Sequence, residues 1–339
     1  MNPAPSAHGS RAIRLWLYLS AAMVFAMVLL GGATRLTDSG LSIVEWQPLL
    51  GAIPPLDQAD WEAAFERYRA FPEYQKVNRG MSLDEFKTIY WMEYLHRLWG
   101  RLIGLVFLVP FLAFWFAGRI DGALARRLLA IFVAGGLQGA LGWYMVQSGL
   151  VDRPDVSPYR LAAHLGLAVL IYGAILWTAW GLATPRGRAR AGGTISFAVL
   201  VFITMTAGAF VAGLDAGLVY NTFPLMDGRL FPAGYWELAP FWRNGFENIT
   251  AVQFNHRWIA IATLGAAIWM GWRTRAASPA LRRAGRFIAL AAVVQVALGI
   301  ATLLYAVPLT LGVLHQAGAM VLFSAALRAA HVARATPAR

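Results

Sequence analysis

The residues with most chemistry to offer are four histidines, His96, His164, His256 and His315, placed two in each half of a 339-residue chain. Each opens a long apolar run, and two of them stand in matching pairs, His96-Arg97 and His256-Arg257. A single imidazole in a membrane helix often does no more than hydrogen-bond a neighbouring helix, yet an ionisable group there is a functional candidate by default. Two imidazoles on facing helices of one bundle are what a haem iron takes as axial ligands. Zinc usually takes three or four protein ligands, and few other ligand types share this depth. The four are expected in the first turns of their spans, at one depth toward the outer leaflet. There the helix dipole disfavours imidazolium and keeps each ring able to ligate iron. His8 and His331 fall in terminal segments and receive no role.

One carboxylate accompanies this set. Glu93 lies three residues before His96, on roughly the same helix face, whereas the residue three before His256 is Gln253. An acid beside one haem and not the other would make the halves chemically unequal; the plain reading is that Glu93 meets water or Arg97. Arg97 and Arg257 have two readings as well, charge-assisted hydrogen bonds to haem propionates or snorkelling to lipid headgroups.

The elements that must position these groups are membrane helices. The chain is 58% hydrophobic and 14% charged, against about 25% charged in a soluble domain, and its mean hydropathy is +0.54. With no cysteine, disulfides, thiolate metal sites and cysteine nucleophiles are excluded. Apolar runs at roughly 13–33, 92–117, 127–147, 160–183, 194–213, 254–272, 285–306 and 309–330 predict eight transmembrane helices. The first is longer than a signal-peptide core and reads as a retained span. One set of connections holds Arg11 and Arg14, Arg119 to Arg127, Arg186 to Arg190, Arg273 to Arg286, and Arg328 to Arg339, with Asp121 as its one acid. The positive-inside rule makes that set cytoplasmic, both termini included. The net charge of +12 is then a topology signal, and nucleic-acid binding has no other support.

The halves repeat. Gly31 through Asp38-Ser39-Gly40-Leu41 matches Gly208 through Asp215-Ala216-Gly217-Leu218; Gln138, Leu141 and Gly142 match Gln295, Leu298 and Gly299; His164 matches His315. Four spans per half is an even number, so the repeat is parallel. The expected fold is all-α and integral to the membrane, with eight transmembrane helices as two parallel-repeat four-helix bundles. A tail, 1–12, precedes the first bundle, 13–183, with its long outer loop 34–91. A linker, 184–193, leads to the second bundle, 194–330, with outer loop 214–253, and a tail, 331–339, closes the chain. Within the first outer loop, Trp61, Ala64, Phe65 and Tyr68 predict a helix over about 57–70 that ends before Pro72. Ser82-Leu83-Asp84-Glu85 is a capping-box pattern for a helix that runs on into the second span.

Taken together, Gly31 to Ser42, Tyr90 to Arg97, Asn221 to Met226, Asn255-His256-Arg257 and His315 to Gly318 resemble the haem A synthase family, over about residues 14 to 330. The resemblance implies an eight-span enzyme that oxidises the C8 methyl of haem O to a formyl group, giving haem A for terminal oxidases. It implies that His96 and His164 address the substrate haem, that Glu93 is the essential acid, and that His256 and His315 ligate haem b. It also implies the cysteine-free class with the long first outer loop, without thiol-based electron delivery. The absence of a transit peptide before Arg11 points to a bacterial inner membrane. Expected partners are haem O, the enzyme that produces it, membrane lipid and an electron-transfer protein, with a second copy of the chain as a further candidate. The competing readings are a dihaem b-type electron-transfer cytochrome, which would have equivalent halves, and a parallel-repeat transporter, which would carry its ionisable groups near the midplane.

Overall fold

The computed structural model describes residues 7–45, 50–150, 154–183 and 192–335. The linker arginines Arg186, Arg188 and Arg190, the terminal Arg339 and the side chain of His8 lie outside the described residues. Eleven α-helices are described: α1 (Ala7–Leu36), α2 (Gln58–Arg69), α3 (Pro72–Lys76), α4 (Leu83–Phe116), α5 (Gly122–Gln147), α6 (Pro158–Gly181), α7 (Gly192–Gly213), α8 (Asn244–Glu247), α9 (Ile249–Arg273), α10 (Pro279–Leu304) and α11 (Leu309–Ala335). Among the described residues the β pairing is confined to a single bridge, Met226 to Arg229.

Seven of the long helices, α1, α4, α5, α6, α7, α10 and α11, are long and apolar enough to cross a membrane, so the protein is multi-pass. The remaining long helix, α9, carries Gln253, Asn255, His256 and Arg257 in its outer turns, which lowers its hydropathy. Several expected boundaries move. Helix α1 begins at Ala7, inside the expected tail, and α11 continues to Ala335, past the expected end at 330. Both extensions are polar at the ends, where hydropathy falls before the helix does.

The outer-loop helices follow their caps. Asp57 accepts from the Asp60 backbone N–H to start α2. At Ser82 both halves of the capping box form, the side chain accepting from Glu85 N and the Glu85 carboxylate accepting from Ser82 N. Helix α4 then runs unbroken through the span, as the sequence predicts, with Pro110 inside it. Ala64, Tyr68 and Phe86 form a small separate core between α2 and α4. The short α3, with Pro72 at its first position, has no counterpart in the sequence expectation.

Packing follows the same order in both halves. Helix α1 packs on α4 and α6, and α5 on α4 and α6; α7 packs on α9 and α11, and α10 on α9 and α11. Indole N–H bonds from Trp16 to Val106 O (2.8 Å) and from Trp99 to Met23 O (2.9 Å) hold α1 to α4. Thr204 and Thr263 hydroxyls bond at 2.7 Å between α7 and α9. The halves meet along α1–α11 and α6–α7, where Tyr172 and Ser324 share a hydrogen bond of 2.8 Å. One buried apolar cluster runs through both halves. At the outer surface Arg35 reaches both Asp38 (2.8 Å) and Asp215 (2.7 Å). These two aspartates hold the same left-handed backbone, φ 48° and 49°, a conformation in which aspartate is one of the tolerated non-glycine residues.

Candidate functional site

Each histidine is wedged against a glycine of the neighbouring helix. A Cβ on Gly31 of α1 would lie 3.0 Å from His96 Cε1, and one on Gly208 of α7 would lie 3.0 Å from His256 Cε1. The same relation joins Gly142 of α5 to His164 (2.9 Å) and Gly299 of α10 to His315 (2.7 Å). The repeat-matched glycines and histidines of the sequence are therefore contact partners, and only a residue without a side chain lets the ring lie so close to the helix backbone.

Within each half the two rings belong together: His96 interacts electrostatically with His164, and His256 with His315. Gln138 and Gln295, matched in the sequence without a role, each orient a ring. The Gln138 amide lies 3.1 Å from His164 Nδ1 and donates to the His164 carbonyl at 2.9 Å; Gln295 repeats both distances on His315. The Oε1 atoms of both glutamines are buried without a hydrogen-bond partner, as are Nδ1 of His96 and of His256.

These observations allow a test of whether a haem fits. An imidazole that binds metal through Nε2 carries its proton on Nδ1 and is oriented by the group beside it. Here the Nδ1 edge of His164 and His315 is the one held, with an unused acceptor on the same amide. Among the described residues no three histidine, cysteine or acidic side chains gather as a metal site, so each pair supplies two ligands, the number for a bis-imidazole haem iron. The residues fit the group.

The depth expected for the histidines needs correction. His96 lies about three and a half turns inside α4, because that helix starts at the Ser82 cap, well before the apolar run. The other three lie nearly two turns inside α6, α9 and α11. The helix-dipole effect fades beyond the first turn, so it does not set the charge of these rings.

Glu93 is buried, at 3% exposure, and all its contacts are made. One carboxylate oxygen accepts from Ser42 Oγ and Ile43 N, both at 2.8 Å; the other accepts from Arg97 Nε (3.0 Å) and Nη2 (2.7 Å). Arg97 in turn donates to the carbonyls of Glu45 (2.9 Å) and Ile43 (2.6 Å). Acid and arginine together bind the strap 42–45 over the outer end of α4.

The second half builds the same latch with a neutral residue. Arg257 donates to Gln253 Oε1 at 2.9 Å and to the carbonyls of Tyr220 (2.6 Å) and Thr222 (2.7 Å). Gln253 Nε2 donates to the carbonyls of Ala216 and Val219. The first strap thus offers donors to an acid, and the second offers acceptors to an amide. Sequence reasoning had the acid and the arginine but missed their strap partners, which lie some fifty residues upstream with no local signal. His331, given no role, is buried between Trp177 and Trp180, with ring centroids 5.2 and 5.8 Å away.

Comparison with known proteins bears on what these sites do. The sequence model of the COX15-CtaA family, described as cytochrome oxidase assembly protein, matches residues 14–327. Among similar proteins, one named Heme A synthase from Nitrosospira multiformis is 54% identical over 334 residues, covering 96% of this chain and 94% of that protein. Proteins of the same name from Rhodospirillum centenum and Parvibaculum lavamentivorans are each 52% identical, covering 98% and 94% of this chain and 91% and 94% of their own lengths.

Proposed function

The chain belongs to the COX15-CtaA family of cytochrome oxidase assembly proteins, and from that premise we propose that it is an oxidoreductase that converts the C8 methyl of haem O to the formyl group of haem A. In this reading His96 and His164 hold the substrate haem and His256 and His315 hold a haem b. When bound, that haem b supplies one-electron chemistry. The chain's own residues do the rest.

The observation that carries the reading is the chemical inequality of two otherwise matching sites. Both have a histidine pair locked against glycines and both have an arginine latch, but only the first has an ionisable group in it, Glu93 against Gln253. A dihaem electron-transfer cytochrome has no use for that difference. Oxidation of a methyl group releases protons as well as electrons, and a carboxylate one helical turn from His96 is placed to take one. A proton arriving at Glu93 would have to displace a bond to Arg97 or to the strap, so proton uptake and strap position are linked through one residue. Arg97 and Arg257 gather at the mouths of the two sites, where propionate contacts would add to the carbonyl bonds they already make.

The same reading makes α9 an eighth span, with the halves as two four-helix bundles related by a parallel repeat and with both termini on the arginine-rich side. The like order of helix packing and the paired histidine–glycine contacts support it. It places the protein in a bacterial inner membrane, supplied by the haem O-producing enzyme and served by an electron-transfer partner. The test is expression in a host that makes haem O but no haem A, followed by extraction and chromatography of the haems. Appearance of hydroxylated or formyl haem is the expected result; none, with electron supply intact, refutes the enzyme.

A further inference from the structure

A cavity of about 300 Å³ lies between the strap, α2 and the outer part of α4. Its wall includes Arg67, Arg97 and Arg101, with Glu45, Asp60 and Tyr90. Arg67 Nε stands 3.5 Å from Glu45, Arg97 is paired with Glu93, and Asp60 accepts from the Leu56 backbone N–H at 3.1 Å. Three guanidiniums thus face two carboxylates on the wall, an excess of positive charge. Arg101 lies one turn further into the membrane than Arg97 on the same helix face, at a depth where a charged side chain is costly and is usually retained for function.

The matching place in the second half is different in kind. There a cavity of about 50 Å³ is lined by Arg257 among Phe223, Met226, Phe254 and Ile261. Ile261 follows Arg257 by four residues, as Arg101 follows Arg97 (257 + 4 and 97 + 4). The roomy, charged version occurs in the half that also has Glu93.

We propose that this cavity seats the carboxylate edge of the porphyrin substrate, with Arg101 as the residue that selects for it. The proposal rests on the reading that His96 and His164 hold that substrate. A porphyrin of this class is amphipathic, with its propionates along one edge. A guanidinium stays charged under all conditions and pairs with carboxylate through two parallel hydrogen bonds. Arg97 already gives its N–H groups to Glu93 and to the carbonyls of Ile43 and Glu45, so the contact falls to Arg101, with Arg67 across the cavity. The smaller apolar cavity in the second half suits a group that stays, and the charged one suits a group that must be recognised at each turnover.

The test compares haem O with its propionate dimethyl ester. Each is titrated into the full-length protein carrying its resident haem, and binding is read from the Soret shift, independently of turnover. Arg101→Gln is expected to weaken binding of the free acid by about tenfold or more, to leave binding of the ester unchanged, and to leave the resident haem spectrum intact; Arg101→Lys should recover part of the loss. An unchanged acid-to-ester ratio in Arg101→Gln overturns the proposal. Should that variant fail to fold, Arg67→Gln gives the same comparison, with a smaller loss for the acid alone expected and an equal loss for both probes refuting. Failure of both probes to shift the wild-type spectrum would remove the substrate-site reading itself, an outcome distinct from an unchanged ratio.

Discussion

Replacing Glu93 by glutamine asks whether the carboxylate is held for its charge or for its shape. The native group accepts four hydrogen bonds, from Ser42 Oγ, Ile43 N, Arg97 Nε and Arg97 Nη2. Glutamine keeps the shape but turns one oxygen into a donor. If the new amide nitrogen faces the strap, the Ile43 N–H meets another donor; if it faces Arg97, the guanidinium does. Either orientation leaves a buried donor without its acceptor, at a cost of about 1–3 kcal/mol. At about 1.4 kcal/mol per tenfold, the strap should open about five to a hundred times more often. Hydrogen exchange by mass spectrometry on a peptide spanning 42–45, with the protein in lipid nanodiscs, reads that opening directly. The reciprocal change, Gln253→Glu, puts a carboxylate against the carbonyls of Ala216 and Val219 and should loosen the loop 216–222 while leaving the first strap alone. Strap exchange in Glu93→Gln at the wild-type rate would refute the latch. Conversion of haem O should be lost in the same variant with haem content retained, and full activity would remove Glu93 from the chemistry.

Other perturbations follow from the same geometry. Burial pushes the Glu73 carboxyl up from 4.5 to about 7, with a hydrogen bond from Tyr68 opposing and the charges of Glu93 and Asp38 adding. The folded loop therefore holds a proton that the unfolded loop releases above 4.5. Its stability should fall by about 3 kcal/mol as pH rises from 4.5 to 7 and level off beyond; limited proteolysis of 58–76 across pH should show this, and Glu73→Gln should abolish it. Gly299→Ala sets a methyl 2.7 Å from His315 Cε1, so the bis-imidazole spectrum of the resident haem should be lost, whereas Gly142→Ala should spare that spectrum and weaken haem O binding. Ser82→Ala removes a complete capping box and should cost about 1 kcal/mol, seen as faster exchange at the start of α4 without loss of the haem spectrum.

Much of the fold was written locally. The stripe Trp61, Ala64, Phe65, Tyr68 gave α2 within a residue of its observed ends, and the Ser82–Glu85 pattern placed both the cap and the unbroken run into the span. The matched glycines, glutamines and histidines of the two halves were visible in the sequence and turned out to touch one another. Periodicity and caps act over one or two turns, so the sequence alone can show them. It could also show that Glu93 and Gln253 differ. What that difference does was decided by the tertiary structure. Ser42 and Ile43 reach Glu93 across about fifty residues, and Ala216 and Val219 reach Gln253 across about thirty-five. No periodicity links such partners; they meet only when the outer loop folds back over its helix. The cavity beside Arg101, the short α3 and the burial of His331 belong to the same class. A side chain's neighbours along the chain are fixed by the covalent bond, but its neighbours across the chain exist only after packing.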